Sequence, residues 1–260
     1  MKQFKSLDEQ IDYLHNNKSI EFQDRETAKN ILLECNYYNL ISCGKVKFAI
    51  DIKEKSHVYE KHDFDEWCDY FNTDCVVSEY LMNNLIEFER VINSRVAYYL
   101  GELIENNKLK PAKKNEIIAQ IKKAEVKNLP KYSGKETWKY ITKMSFGETR
   151  YLINWMLENQ KSIFYKVVLG YDFLRTGNIK QNFSNIVDLR NTLFHFTPLN
   201  IYLGFAKRND GIFDNNYRKK AVNFIFQLKP DTNKRGLLND IMAHSDNFVT
   251  IKNSQSRSND

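Results

Sequence analysis

One long stretch repeats apolar side chains at three- and four-residue intervals, from about Val76 to Asn106. Side chains with this spacing share one face of an α-helix and can be buried together. The pattern therefore predicts a single long helix. Glu89 and Arg95 on it are interpreted as exposed or paired charges, with support of a site as the alternative. The repeating positions are Val77, Tyr80, Leu81, Leu85, Phe88, Ile92, Val96, Tyr99, Leu100 and Leu103.

The rest of the chain also predicts helices. Gly (9) and Pro (4) are scarce in 260 residues, which is atypical of a turn-rich β fold. Ser6 with Glu9 has the form of a capping box, and Asp24 can cap a second helix. Only residues 45–52 alternate apolar with polar side chains, as a short extended piece or a loop would. We predict one all-α domain over residues 1–250 and a frayed polar tail over 251–260. Further helices are expected at 7–15, 112–127, 136–143, 161–169, 214–228 and 234–244.

The chain carries few signs of export or of metal binding. The first residues lack a signal-peptide core, and no apolar run has the length of a membrane span. The sequence thus predicts a cytoplasmic protein without membrane association. Four cysteines fit reduced thiols, and His57, His62, Cys68 and Cys75 lack the close pairing typical of zinc ligands. No metal and no cofactor are expected.

Charge is distributed unevenly. Residues 108–143 contain eleven Lys and three Glu, whereas residues 51–79 contain nine Asp or Glu and three Lys. Such a split favours one face for a polyanion, and nucleic acid is a candidate partner. The alternative is a solvated lysine-rich helix pair. The candidate RNA-binding residues are Lys113, Lys114, Lys122, Lys123 and Lys127.

The stretch "DLRNTLFHFTPLN" (188–200) contains the candidate catalytic residues. In a helix, Asn191 and His195 lie about 40° apart on one face. RNA cleavage by its own 2′-hydroxyl needs a proton carrier near neutral pH, which suits His195, and a cation for the phosphate, which suits Arg190. Asn191 could orient the histidine or hold a phosphate oxygen. Since one histidine cannot serve efficiently as both base and acid, a homodimer is expected. Alternatively, the triplet is the polar side of an ordinary helix.

Four stretches resemble known bacterial proteins. "RNTLFH" (190–195) matches the R-N-x-x-x-H signature of the HEPN ribonucleases. In order along the chain, residues 32–43, 85–100, 138–156 and 190–202 resemble blocks of the Abi-like (abortive infection) proteins. We refer to them as blocks one to four. The chain departs from the family pattern at three places: Asn39 stands where the family has arginine, Phe196 where it has a second histidine, and "PLN" (198–200) where it has "LWN".

The resemblance implies a HEPN-like helical bundle, phage defence, and RNA as substrate or partner. It implies a metal-independent endoribonuclease that leaves a 2′,3′-cyclic phosphate and a 5′-hydroxyl. A structured small RNA on the lysine-rich segment is the expected control partner. Two alternatives remain: an RNA-binding module in which the motif is structural, which Phe196 favours, and a helical protein-interaction scaffold.

Overall fold

The computed structural model describes residues 4–52, 57–124, 129–208 and 210–256. Helix accounts for 73% of the chain and strand for 5%, which confirms the all-α prediction. Within the described ranges the elements, in chain order, are α1 (Leu7–Lys18), β1 (Ile20–Glu21), α2 (Arg25–Cys35), α3 (Tyr37–Phe48), β2 (Ala49–Ile52), β3 (His57–Tyr59), β4 (His62–Asp63), α4 (Phe64–Glu105), α5 (Pro111–Lys123), α6 (Thr137–Ile141), α7 (Phe146–Asn159), α8 (Lys161–Val167), a 3₁₀ turn (Asp172–Leu174), α9 (Ile179–Phe194), α10 (Leu199–Gly204), α11 (Asn216–Gln227) and α12 (Thr232–Ser256).

The chain forms two compact units, whose described parts lie within residues 1–82 plus 191–260 and within residues 83–190. We call them the terminal unit and the central unit. The chain passes between them within α4 and within α9. The single domain expected over residues 1–250 stays a prediction. Among the described residues, no helix combines the length and apolar character needed to cross a membrane.

The terminal unit is built around a continuous apolar core. Its helices begin at caps that the sequence encodes: the Ser6–Glu9 capping box starts α1, and Asp24 accepts two backbone N–H groups at the start of α2. Strand β1 pairs with β4 in parallel, and β2 pairs with β3 in antiparallel fashion. Helix α10 contacts α3, α11 and α12. The core residues include Ile11, Leu14, Leu32, Leu40, Trp67 and Phe248.

A glycine in α3 gives this core a steric test. A Cβ on Gly44 would overlap the ring of Trp67, which is fully buried. We expect Gly44→Ala to lower the free energy of unfolding by about 2 kcal/mol, because the overpacking outweighs the gain in helix propensity. Urea unfolding measures this change.

Gly101 of α4 provides the matched control. A Cβ there would meet Thr137 and Trp138 only at ordinary contact distances of 3.9 and 3.8 Å. Gly101→Ala should therefore raise the free energy of unfolding by up to about 1 kcal/mol. Equal effects of the two substitutions would contradict the close packing of α3 against Trp67.

The central unit contains the rest of the helices. A second capping box, Ser145 with Glu148, starts α7. The ring of Phe88 on α4 lies edge-on to that of Phe146, with centroids 5.7 Å apart. Asn93 donates to the carbonyl of Met144 at 3.4 Å. Blocks two and three of the resemblance are thus in contact inside this unit.

Some boundaries differ from those that the sequence predicted. Of the extended piece predicted at 45–52, residues 49–52 are confirmed as strand β2, whereas residues 45–48 form the last turn of α3, where Val46 and Phe48 are buried. Helix α4 starts at Phe64, because Phe64, Trp67 and Phe71 continue its apolar stripe through an acidic stretch. Strands β1, β3 and β4, with two or three residues each, are too short to show alternation.

The C-terminal region also differs from its prediction. Helix α12 continues to Ser256, so the tail expected from residue 251 is helical over its first six positions. Ile251 packs partly buried against the terminal core, and Asn253 exchanges two hydrogen bonds with the backbone of Phe213. These contacts explain why a polar stretch extends the helix. Residues 257–260 lie outside the described part.

Candidate functional site

The helix that carries the motif is confirmed, and its apolar side fixes its orientation. Phe183, Ile186, Leu189 and Leu193 of α9 are buried at three- and four-residue steps. At its start, Asn178 accepts a hydrogen bond from the backbone N–H of Gln181 at 3.2 Å. Because these buried side chains occupy one face of α9, the motif side chains on the opposite face lie towards solvent.

Arg190 lies in the central unit and forms an ion pair there. Its Nε is 3.3 Å from Oε2 of Glu89, and the exposed fractions of the two side chains are 27% and 16%. Because both are largely covered, this pair restricts the arginine more than a surface pair would. Glu89, whose support of a site the sequence suggested only as an alternative, is therefore one residue that positions Arg190.

Asn191 and His195 are both exposed in the terminal unit. The backbone N–H of His195 donates to the carbonyl of Asn191 at 3.1 Å, so helical spacing continues one residue past the end of α9. The two side chains therefore lie on neighbouring positions of one face. An exposed imidazole is accessible to a substrate from solvent.

The helix ends in a left-handed turn at Phe196. Its φ is 54°, and its backbone N–H donates to the carbonyl of Leu193 while that of Thr197 donates to Thr192. This is the Schellman pattern, in which the left-handed position is usually glycine. Phe196 is 76% exposed despite its size. Phe196 thus combines an unfavourable backbone conformation with an uncovered aromatic ring.

Two of the positions that depart from the resembled pattern, Asn39 and Phe196, meet in the structure. Nδ2 of Asn39 donates to the carbonyl of Phe196 at 3.0 Å. Further along the same segments, Nδ2 of Asn200 donates to the carbonyl of Cys43 at 2.8 Å. Blocks one and four are therefore hydrogen-bonded to each other inside the terminal unit, although more than 150 residues separate them in sequence.

A buried carboxylate holds the segment that follows the motif. Asp74 of α4 is fully buried and accepts from the backbone N–H groups of Leu199 at 2.7 Å and Asn200 at 2.9 Å. Ser78 donates to the same carboxylate at 3.2 Å. Burial raises the pKa of Asp74 to about 6, against the opposing effect of these hydrogen bonds. Asp74 thus caps α10 from a distant part of the chain.

The lysine-rich segment forms α5 and its surroundings in the central unit. Ile117 and Ile121 are buried, so the lysines occupy the other side of the helix. Lys113 pairs with Glu116 at 3.0 Å, and Lys114 donates to Asn107 at 2.6 Å. Lys122 and Lys123 are exposed in the last turn, whereas Lys127 lies outside the described residues. Trp138, 55% exposed, belongs to the same basic stretch of sequence.

The cysteines and histidines do not assemble a ligand cluster in the described ranges. No group of three or more His, Cys, Asp or Glu side chains there could hold a metal ion. All four cysteines are free thiols. Burial raises the pKa of Cys68 to about 12 and that of Cys75 to about 11, which disfavours the thiolate that metals and electrophiles require.

Comparison with known proteins found no match, whether with family models, with curated proteins or with solved structures.

Proposed function

We propose that this chain is an RNA-acting defence protein of the abortive-infection type and a metal-independent endoribonuclease. The observation that carries the proposal is the exposed pair Asn191 and His195 at the end of a helix whose sequence also supplies Arg190. Each residue type has the chemistry that cleavage of RNA by its own 2′-hydroxyl requires.

The contacts between the resembling blocks add support. Block one is hydrogen-bonded to block four through Asn39 and Asn200, and block two contacts block three through Phe88 and Asn93. Glu89 of block two pairs with Arg190, the first residue of block four. Each of the four stretches thus contacts another of them inside its own unit, which supports their being read as parts of one family pattern.

In the proposed reaction, His195 accepts the proton of the 2′-hydroxyl as that oxygen attacks the adjacent phosphorus. The bond from phosphorus to the 5′-oxygen breaks, and that oxygen takes up a proton. The products are a 2′,3′-cyclic phosphate and a 5′-hydroxyl. Arg190, positioned by Glu89, binds the phosphate oxygens, and Asn191 orients either the histidine or the phosphate. His195 of a second copy supplies the other proton transfer, so the active form is a homodimer.

Incubation with labelled single-stranded RNA in excess EDTA tests the proposal. We expect cleavage to persist with EDTA and to yield cyclic phosphate ends. Loss of all cleavage on chelation, or a 3′-hydroxyl product, would contradict it.

A second candidate is an RNA-binding module in which the motif only ends a helix and joins two segments. Phe196 favours it, because the family's second histidine is replaced there by a side chain without proton chemistry. In the same assay this module binds RNA tightly and cleaves none.

In either candidate the lysine-rich segment binds a structured regulatory RNA. We expect Lys113, Lys114, Lys122 and Lys123, changed together to Gln, to weaken RNA binding. They should also lower the slope of log affinity against log salt by about 3, since each lost phosphate contact contributes roughly 0.7 to 0.9. Fluorescence anisotropy over a salt series measures both.

The matched control replaces four exposed lysines from other parts of the sequence: Lys61, Lys161, Lys220 and Lys229. Because it changes the net charge equally, it separates local contacts from general attraction. Equal salt slopes for the two quadruple variants would mean that α5 is only a solvated face.

A further inference from the structure

Phe196, at the end of α9, has an exposed ring on a backbone conformation that disfavours any side chain. The side chain is 76% exposed, and its φ of 54° is in the left-handed region. A Cβ destabilises this conformation, so glycine or asparagine is usual where a helix ends in this way. Phe196 therefore lowers stability here without the burial that would compensate for it. The other described non-glycine residues with positive φ are all polar: Ser19, Asn36, Asn107 and Glu136.

Hydrogen bonds hold the backbone on both sides of this ring. The N–H of Phe196 donates to the carbonyl of Leu193 at 3.0 Å, and the N–H of Thr197 donates to that of Thr192 at 3.1 Å. From another part of the chain, Nδ2 of Asn39 donates to the carbonyl of Phe196 at 3.0 Å. These bonds use the backbone of Phe196, so its ring can be replaced without removing them. Unfavourable backbone conformations that the surrounding structure enforces are frequent at functional sites.

The ring belongs to the residue directly after the proposed proton carrier. Consecutive Cα atoms are about 3.8 Å apart, so the side chains of His195 and Phe196 leave the backbone at one place on the surface. Both side chains are exposed. A ribonucleotide has its reacting groups on the sugar and phosphate, whereas its flat base is a separate part of the same unit. A strand that reaches His195 with its backbone can therefore reach Phe196 with a base.

The surroundings of the ring favour a base over a second protein surface. His195 and Thr197, on either side of Phe196, are polar and neither is buried. A stable protein interface buries roughly 800 Å² on each partner around an apolar centre, which a single ring between polar neighbours does not offer. A nucleobase needs only one flat face, and its edges remain in contact with polar groups and water.

We propose that Phe196 stacks on a base of single-stranded RNA next to the phosphate bound at the motif. The inference rests on RNA as the ligand in the proposed function, but not on cleavage. Unpaired bases stack on aromatic side chains, and such stacking tolerates any sequence because every base has a flat face. Stacking holds the strand in one register beside His195. Phe196 is thus a positioning residue, which takes no part in proton transfer.

Three substitutions separate the flat ring from its other properties. Phe196→Gly removes the ring and suits the left-handed backbone. Phe196→Leu keeps an apolar side chain without a flat face, and Phe196→Trp enlarges that face. Phe4→Gly is the matched control, because Phe4 is 89% exposed in the terminal unit but outside the motif.

Thermal melting tests whether the ring supports the fold. We expect Phe196→Gly to raise the Tm by about 2 °C, because glycine adopts the left-handed conformation without the Cβ penalty. A Tm lowered by more than about 5 °C would assign the ring to the fold and would contradict the proposal.

Two fluorescent probes of equal charge measure the stacking. The first is an oligouridylate of about twelve nucleotides whose 2′-hydroxyls are methylated, so that it cannot be cleaved, and the second is the same backbone without bases. We expect Phe196→Gly and Phe196→Leu each to weaken binding of the first probe about tenfold, and Phe196→Trp to bind it at least as tightly as wild type. Phe4→Gly should leave its affinity unchanged. Binding of the probe without bases should change by less than about twofold in every variant.

The results distinguish this inference from the proposed nuclease. Equal losses on both probes would overturn the stacking role, because the ring would then act without a base. Full affinity in Phe196→Leu would also overturn it, since an apolar side chain alone would then be enough, as at a contact with a second copy of the chain. A wild-type protein that does not bind the first probe would refute it as well. Cleavage does not enter this measurement, so stacking without cleavage contradicts the nuclease alone.

Discussion

His195→Ala should reduce RNA cleavage by about a thousandfold while the protein stays folded and still binds RNA. Proton transfer by a positioned side chain contributes about a hundred- to ten-thousandfold to such reactions, and this is the contribution that alanine removes. The imidazole is exposed, so its removal leaves no cavity in the core. We expect the free energy of unfolding to change by less than about 0.5 kcal/mol. Product formation under single-turnover conditions, corrected by urea unfolding, measures both quantities.

His15→Ala is the control, because His15 also lies in the terminal unit on a helix but outside the motif. It should cleave at the wild-type rate. If His195→Ala cleaves as fast per folded molecule as His15→Ala does, the catalytic assignment is wrong. If His195→Ala instead loses stability and binds RNA normally, the motif is a structural helix end and the binding-module alternative gains support.

A test of Arg190 needs a different design, because this side chain both pairs with Glu89 and is proposed to bind the phosphate. Its loss leaves the carboxylate of Glu89, 16% exposed, without its ion-pair partner. That penalty lowers stability whether or not the arginine has a role in catalysis. Combining Arg190→Gln with Glu89→Gln removes the isolated charge, so cleavage that is still lost in a stable double variant belongs to the missing guanidinium.

Local signals predicted much of the fold. The capping box at Ser6, Pro111 at the first position of α5 and the period of α9 are all features within one turn or a few. Helix α4 could be identified from its apolar stripe, although its first twelve residues were missed because acidic side chains interrupt the pattern. Capping and helical periodicity can be predicted from a sequence because the residues involved lie within a few positions of one another.

Long-range pairs could not be predicted in this way. Asp74 reaches the N–H groups of Leu199 and Asn200 across 125 and 126 positions, and no periodicity links them. The same holds for Glu89 with Arg190, 101 positions apart. For the motif itself, spacing predicted the shared face of Asn191 and His195. It could not predict the left-handed turn at Phe196, where glycine is the usual signal.

Asp74→Asn should change the pH dependence of stability. The pKa of the buried carboxyl is about 6 in the folded protein and 3.8 in its ordinary range. The folded state therefore holds the proton more tightly, and the stabilisation from protonated Asp74 is fully present below pH 3.8 and lost as pH rises through about 6. Asparagine stays neutral throughout. From pH 4 to 7, the variant should thus gain up to about 3 kcal/mol of unfolding free energy relative to wild type.

Asp24→Asn gives the opposite sign and serves as the control. Asp24 caps α2 on the surface, where hydrogen bonds from Thr27 and Glu26 lower its pKa, so its stabilisation is present at neutral pH and lost as pH falls. Relative to wild type, this variant should become less stable as pH rises, whereas Asp74→Asn becomes more stable. Urea unfolding at half-unit steps between pH 2.5 and 7.5 measures both differences, because the change for Asp24→Asn falls mainly below pH 4 and that for Asp74→Asn mainly above it. Because Asp74 holds the start of α10 directly after the motif, parallel curves for the two variants would mean that this segment is not anchored by a buried carboxylate.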